Sequence, residues 1–512
     1  MDFVFDNSDT VRNGSYVTEE KEEEEEGEDE KNEEDDEGGK GKGEENSMLP
    51  LPKRPRNQIV DRISALHDSV LLHILSFLPT EDVVRTGLLA KRWQYLWTNI
   101  STLAFKTEEI DLDGIHKFVA FVNRVLILCR CSNLKKFALD FCFFGLEYFP
   151  EMYASLWIQF ATQHNVEDLY LHNQGFPLVH RLPQILFTNS SLRILSASSC
   201  AIAPSGEISW RSLKSLTMDD VVVSDGVIEK ILTSCPILEF LKLSMFSGPS
   251  RLSINSASLE KVVIQHSMSD QYVLEISAPK LLMLELMGDF ERQKLQFANI
   301  FSLVRVNLKF SGRVFSDEYD HEKRLTQLIE LLERLQHVNQ LESWDWCIQV
   351  LSYGELKGLP SLVSSCKILT LNSHVLKWDI PGIVSLLQGS PYLEKLVLNM
   401  SSDYHHAQKF LDSCNFDGED PWTSRKRILS PLLHLKTIVI VGFKDYHAGF
   451  RLQLVQFLLQ NAVALEKMVI KIGQSGRSDK CSACSLSQEF VRLTQKLLSF
   501  PRASPRAVIL FS

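Results

Sequence analysis

Long hydrophobic runs are missing from the 512 residues: Arg, Glu, Gln or Lys interrupts most apolar stretches, and none approaches the ~20 residues that cross a bilayer. A membrane-spanning reading is therefore set aside. Cysteine is scarce, with 10 irregularly spaced residues. No disulfide framework is expected, only free and mostly buried thiols in a reducing compartment. The chain opens on acidic and polar residues, so no secretory signal is expected. The Asn189-Ser190-Ser191 sequon is then a chance match. No Gly-x-Ser-x-Gly elbow, phosphate-cradling glycine loop or His-Glu-x-x-His motif is present, which leaves the common hydrolase and nucleotide chemistries without a signature.

Charge of one sign is also lacking outside a single segment. Between Glu19 and Asn46 there are seventeen Asp or Glu against four Lys, a local net charge of −13. Taking that, and the −2 of residues 1–18, from the chain's −11 leaves about +4 for residues 47–512. A nearly neutral body gives no electrostatic footprint for nucleic acid. The stretch Glu19–Glu45 has no apolar residue, so nothing there can be buried, and residues 1–57 are expected to form a disordered acidic leader. It is either a solvated, self-repelling leader or an interaction tail for a basic partner. Its last residues, Pro52-Lys53-Arg54-Pro55-Arg56, read either as a nuclear import signal on Lys53, Arg54 and Arg56 or as a plain linker. Residence in the nucleus, the cytoplasm or both follows as an expectation.

Order begins near Ile59. Asp68 is a candidate N-cap, Val70, Leu71, Ile74, Leu75 and Leu78 follow at helical spacing, and Pro79 stops the helix. Thr80 can cap a second helix with Glu81 and Asp82 in its first turn and Val83, Val84, Leu88 and Leu89 as its apolar positions. Lys91-Arg92-Trp93 leads to Leu96 and Trp97 in a third short helix. Three helices in about forty residues make a small core that needs a partner surface or a neighbouring domain. The segment resembles an F-box, closest to the plant style. The resemblance rests on Asp61-Arg62-Ile63-Ser64, Leu66, the block Ile74-Leu75-Ser76-Phe77-Leu78-Pro79-Thr80, and Lys91-Arg92-Trp93 with Leu96-Trp97. Where the family has Leu-Pro, this chain has Leu66-His67. Proline would fix the lead-in to the first helix, so histidine is expected to leave it looser and to weaken adaptor binding.

The rest of the chain is a repeat array. A Leu-x-x-Leu-x-Leu pattern, with any apolar residue allowed, recurs thirteen times: from Leu134, Val166, Leu192, Leu213, Leu238, Leu259, Leu281, Leu303, Leu341, Cys366, Leu393, Leu435 and Leu465. The steps from Leu192 to Leu303 are 21, 25, 21, 22 and 22 residues, a period that belongs to leucine-rich repeats, each giving one short strand and a helical or irregular return. Helical returns are expected at Val227–Ser234, Ile383–Gly389 and Leu454–Asn461, and a long amphipathic helix at His321–Val338. Ser401–Leu429, polar with Gly418 and Pro421, reads as a loop and a boundary. After it, Leu432-Leu433-His434-Leu435-Lys436, Gly442-Phe443 and Gln456–Ala462 resemble the FBD domain of plant F-box proteins. The expected fold is α/β: a three-helix F-box at 58–105, a curved leucine-rich-repeat solenoid of parallel strands at 106–420, and an FBD segment continuing or capping it at 421–512.

Candidate chemistry is sparse. Cys481-x-x-Cys484 has no second pair or histidines in register for zinc, and Cys414, His447, His405 and His406 do not complete a site. Asp219, Asp220 and Asp225 follow a strand and read as turn caps rather than a catalytic pair. Trp344 and Trp346, two apart, are expected on the inward face of one strand. No metal or cofactor is expected, and the chain is read as non-catalytic.

The F-box resemblance implies docking to the Skp-family subunit of a cullin–RING ubiquitin ligase, with the repeats holding an unknown protein substrate. The residues expected to carry the adaptor contact are Leu66, His67, Val70, Leu71, Ile74, Leu75, Leu78, Leu89 and Trp93; some of them also close the helical core, and sequence does not separate the two roles. The rival reading is a ubiquitin-independent repeat protein whose acidic leader holds basic partners such as histones.

Overall fold

A computed structural model describes residues 62–63, 65–107, 112–141, 151–173, 180–269, 271–311, 318–359, 362–400, 431–443, 448–472 and 483–511. The acidic leader, Lys53, Arg54 and Arg56, and the Ser401–Leu429 loop lie outside these residues. The chain divides after Val60, and the unit beginning at Asp61 carries the described elements.

The first helix runs Asp68–Leu75, and its N-cap is His67, one residue before the expected Asp68. The His67 side chain accepts from the Ser69 backbone N–H at 3.3 Å, and its φ of −65° is the angle a proline would impose. At this position the histidine holds a proline-like φ and adds a cap. Pro79 precedes a second helix, Thr80–Arg85, which ends in a 3-10 turn at Thr86–Leu88. That helix is shorter than the apolar pattern suggests, because the chain tightens at Thr86-Gly87 before Leu88 and Leu89 can reach the core. Thr80 is buried instead of capping, and its hydroxyl accepts from Ala104 N–H at 2.7 Å. A third turn is 3-10, Leu96–Asn99.

Ala104 lies on the first strand, Thr102–Thr107, which among the described residues pairs only with Lys136–Phe141. The second helix and Thr80 therefore cover what would be an open sheet edge. Counting this strand, fifteen neighbouring parallel strands among the described residues run to Val508–Phe511, with His180–Arg181 a sixteenth beside Ile194–Ile202. The fourth position of each repeat keeps one register: Leu103, Phe137, Leu169 and Leu195 at one end, Leu396, Ile438, Met468 and Ile509 at the other. All but Ile509 are buried, in one apolar core that runs from Leu71 in the first helix to Ala507. The small helical core is completed by the solenoid rather than standing alone.

The repeat at Leu341 is out of register by three. Leu341 pairs with Val306 and Leu369, so it holds the fourth position and Val338 the first. Trp344 ends the strand Gln340–Trp344 and turns outward, while Trp346 is buried in the helix Asp345–Leu356. The shared inward face expected for the two is corrected: the chain switches from strand to helix between them.

Returns are helical at Val227–Ser234, Asp379–Gln388 and Ala448–Asn461, and Glu318–Arg334 forms the long amphipathic helix. Between Leu238 and Leu303 they are not. Arg251–Asn255, Tyr272–Ser277 and Gln293–Ala298 make a second, three-stranded parallel sheet. The reason is length. A strand rises ~3.3 Å per residue and a helix 1.5 Å, so a 21- or 22-residue repeat climbs back in five or six extended residues where a helix needs about twice as many.

Candidate functional site

The F-box helices split their apolar residues between two jobs. Leu71, Leu75 and Trp93 are buried at 0%, 1% and 6% exposure and join Val83, Leu96 and Trp97 in the core. Of the nine residues expected at an adaptor contact, these three are withheld from any partner. Leu66, Val70, Ile74, Leu78 and Leu89 are exposed, the last at 72%. Val70 and Ile74 lie one turn apart on the first helix, which places them on a common face. Sequence reasoning missed Ile63, Phe77, Leu88 and Tyr95, also exposed, with Phe77 at 75% and Leu88 at 89%. No sequence signal marked Leu88, which continues the apolar pattern of the second helix; its exposure follows from the helix ending at Arg85. The His73 ring packs on the edge of Phe77, centroids 4.9 Å apart. Arg92 Nη2 ties the unit together by donating to Leu66 O at 2.6 Å and to Asp68 Oδ1 at 2.5 Å.

A second candidate surface is the open face of the main sheet, where the residues between the buried leucines point. Trp344 lies there, with Lys309 Nζ 4.0 Å from its ring centroid and its indole N–H donating to Asn307 Oδ1 at 3.2 Å. Over the strands Ile368–Asn372, Lys395–Asn399, Thr437–Phe443, Lys467–Ile472 and Val508–Phe511 the open face carries Val397, Val439, Val469 and Leu510, three lysines (Lys395, Lys467, Lys471) and no carboxylate.

A buried polar cluster lies where the strand Ile368–Asn372 ends. Asp379, fully buried, accepts from Leu376 N–H and Ser373 Oγ, both at 2.8 Å. Arg451, buried and 77 positions away, donates from Nε and Nη2 to His374 O at 3.2 and 2.9 Å. His374 Nε2 stands 3.6 Å from Asp345. The residue types suggest a nucleophile with a base, but the Ser373 hydroxyl donates to Asp379 at 2.8 Å. The cluster instead clamps a turn in which Val375 takes φ +52°, strained for a β-branched residue. Burial first, then Asp379, raises the Asp345 carboxyl to about 6, and burial raises that of Asp379. Both acids bind protons more readily folded than unfolded, and Asp345 takes up its proton between the ordinary carboxylate range and about pH 6. Its contribution to stability grows as pH falls through that window and is lost as pH rises through it. Urea midpoints measured from pH 7 to pH 5 should rise in the native chain, and the rise should shrink in Asp345→Asn.

Asp225 holds a loop, whereas Asp219 and Asp220 lie within the strand Ser215–Val223 rather than after it, which corrects the turn-cap reading of those two: the strand runs on for nine residues. Asp225 accepts from Ser250 N–H and Oγ at 2.8 and 2.7 Å and from Arg251 N–H; the Ser250 hydroxyl, above all, holds its carboxyl low. Asp220, at φ +49°, accepts from Ser199 Oγ at 2.8 Å. The six described cysteines are free, and burial pushes Cys200, Cys235 and Cys347 up to about 12. The side chains of Cys481 and Cys484, with Cys414, His405, His406 and His447, lie outside the described residues. Among the described residues, no group of three or more His, Cys, Asp or Glu is placed to hold a metal ion, and no helix is long and apolar enough to cross a membrane.

Two family models match the chain. The F-box domain model covers residues 63–103, and the model described as At1g61320/AtMIF1, LRR domain, covers residues 127–507. The second takes in most of the segment 421–512, whose strands continue the main sheet. Among curated proteins of Arabidopsis thaliana, the chain is 28% identical over 434 residues to putative F-box/LRR-repeat protein At5g02930, covering 81% of this chain and 87% of that one. It is 26% identical over 474 residues to F-box/LRR-repeat protein At3g03360, covering 88% and 91%. To putative F-box protein At1g49610 it is 33% identical over 346 residues, covering 66% and 84%. With the helical unit, the parallel repeat sheet and these matches in agreement, the chain belongs to the F-box/LRR-repeat family.

Proposed function

We propose that this protein is a non-catalytic substrate-recognition adaptor of a Skp–cullin–F-box ubiquitin ligase. The observation that carries the reading is the exposed apolar surface of the F-box unit, where Val70, Ile74, Phe77, Leu78, Leu88 and Leu89 face solvent while Leu71, Leu75 and Trp93 already satisfy the core. Large apolar side chains grouped on one small unit mark a protein-binding surface. The Skp-family subunit is its partner, and through it the cullin–RING ligase. The open face of the sheet holds the protein substrate. Its acid-free, lysine-bearing strands between Ile368 and Phe511 suit a segment with apolar and acidic side chains. Holding substrate beside the charged ubiquitin-conjugating enzyme raises effective concentration, so the acceptor lysine attacks in a nearly intramolecular step. Residence in the nucleus, the cytoplasm or both is part of the proposal.

Affinity purification with neddylation and the proteasome blocked should recover Skp-family and cullin subunits; recovery of neither would overturn the reading. The second reading, favoured by the −13 charge between Glu19 and Asn46, is a ubiquitin-independent holder of basic proteins such as histones. It requires partner binding that fades with salt and disappears when Glu19–Glu45 is deleted. The adaptor reading requires Skp capture to survive that deletion.

A further inference from the structure

One position of the open sheet face carries a row of cations. Lys261, Arg305, Lys395 and Lys467 each open a strand of the main sheet. Strand pairing holds all four in one register, with Met283, Gln340, Ile368 and Thr437 as the residues between them. From Lys261 to Lys467 the row therefore contains no carboxylate.

Cations one residue earlier in the repeat are placed differently. Arg193, Lys214 and Lys367 each pair with a glutamate that leads into an adjacent strand: Glu167 at 3.4 Å, Glu239 at 2.8 Å and Glu394 at 3.6 Å. Among the described residues, the four row cations have no carboxylate partner. Lys261 Nζ stands 5.4 Å from the Phe240 ring centroid, and Arg305 Nε donates to Gln340 Oε1 at 2.7 Å. Lys395 and Lys467 are exposed. Two carboxylates stand two residues further along their strands, and each is already hydrogen-bonded. Glu285 accepts from Gln265 Nε2 at 3.2 Å, and Glu342 from Asn372 Nδ2 at 2.8 Å. A line of cations without counter-charges on an open face complements an acidic partner.

The register also sets the spacing of that partner. Lys261 and Arg305 are two strands apart, Arg305 and Lys395 three, Lys395 and Lys467 two. At ~4.8 Å per strand the gaps are about 10, 14 and 10 Å. An extended chain covers ~3.3 Å per residue, so the gaps correspond to about three, four and three residues. We propose that the substrate segment lies extended across the strands and presents Asp or Glu at about i, i+3, i+7 and i+10 to Lys261, Arg305, Lys395 and Lys467. Its intervening side chains lie over Met283 and Ile368. The inference rests on the reading of the open face as the substrate surface and names what that surface selects.

The test is titration calorimetry on the full chain with two peptides of about fourteen residues and one composition, alanine and serine with four glutamates. In one the glutamates follow the proposed spacing; in the other they are contiguous. The spaced peptide should bind at least about tenfold more tightly. Lys395→Glu with Lys467→Glu should weaken the spaced peptide by more than about tenfold with unchanged melting. Lys395→Gln with Lys467→Gln keeps the test decisive if the charge reversal lowers the melting temperature. Equal binding of the two peptides, binding of neither at about 1 mM, undiminished binding in the substituted chains, or tighter binding of a single-stranded oligonucleotide of equal charge would overturn the proposal. Capture of a Skp-family adaptor, measured on the same proteins, should be unchanged by these substitutions. That capture decides the adaptor reading, and the peptide preference decides this one.

Discussion

A chain carrying Ile74→Asp and Leu89→Asp should lose capture of a Skp-family adaptor by more than about a hundredfold while its repeats melt unchanged. Both side chains are already in water, at 41% and 72% exposure, so the new carboxylates cost the free protein almost nothing. In a complex, each would be driven into an apolar contact without a partner. Leu75→Asp provides the contrast. Leu75 is 1% exposed beside Leu71 and Trp93, and a carboxylate there unfolds the helical unit, so adaptor capture is lost through loss of structure. Far-ultraviolet circular dichroism and surface binding of both variants separate the cases. Normal adaptor binding by the exposed double variant would sink the assignment of this surface.

Gly382→Ala should destabilise the repeats by about 3 kcal/mol, toward the upper end of overpacking effects. Gly382 lies in the helix Asp379–Gln388, pressed against the helix Asp345–Leu356. A β-carbon there would overlap Ile348 O and stand 2.8 Å from Ser352 Oγ. The same approach lets Gly382 N–H donate to Ser352 Oγ at 2.7 Å, and pushing the helices apart forfeits that bond and strains the Asp379 turn beside it. Gly449→Ala is the control: nothing lies within 4 Å of its β-carbon, and alanine in the helix Ala448–Asn461 should be neutral or slightly stabilising. Scanning calorimetry of both variants makes the comparison, and a Gly382→Ala protein melting like the native chain would refute the close helix contact.

The repeat array was legible because its signal is redundant. Twelve of the thirteen Leu-x-x-Leu-x-Leu matches fall in the register that the sheet adopts, since every strand must turn the same positions inward to stack on its neighbour. The match at Leu341 slipped because Trp344 and Trp346 mimic the last two inward positions. Only the start of a helix at Asp345 breaks that likeness, and a helix start that lacks a side-chain cap leaves little trace in sequence. The F-box was legible from its block of residues, but not the division of labour within it. Apolar residues at helical spacing serve core and contact alike, because both occupy a helix face: Ile74 and Leu75 are adjacent in sequence and opposite in burial.

Composition and period were enough to determine the charge split between leader and body and the parallel repeat architecture, because each depends on local pattern summed over many residues; the F-box was recognised by its resemblance to a known block of residues. The tertiary structure alone decided which F-box leucines reach solvent and that Arg451 clamps a turn 77 positions away. Those outcomes turn on how neighbouring layers fit in space, and spacing along one chain does not carry the distance between two of its layers.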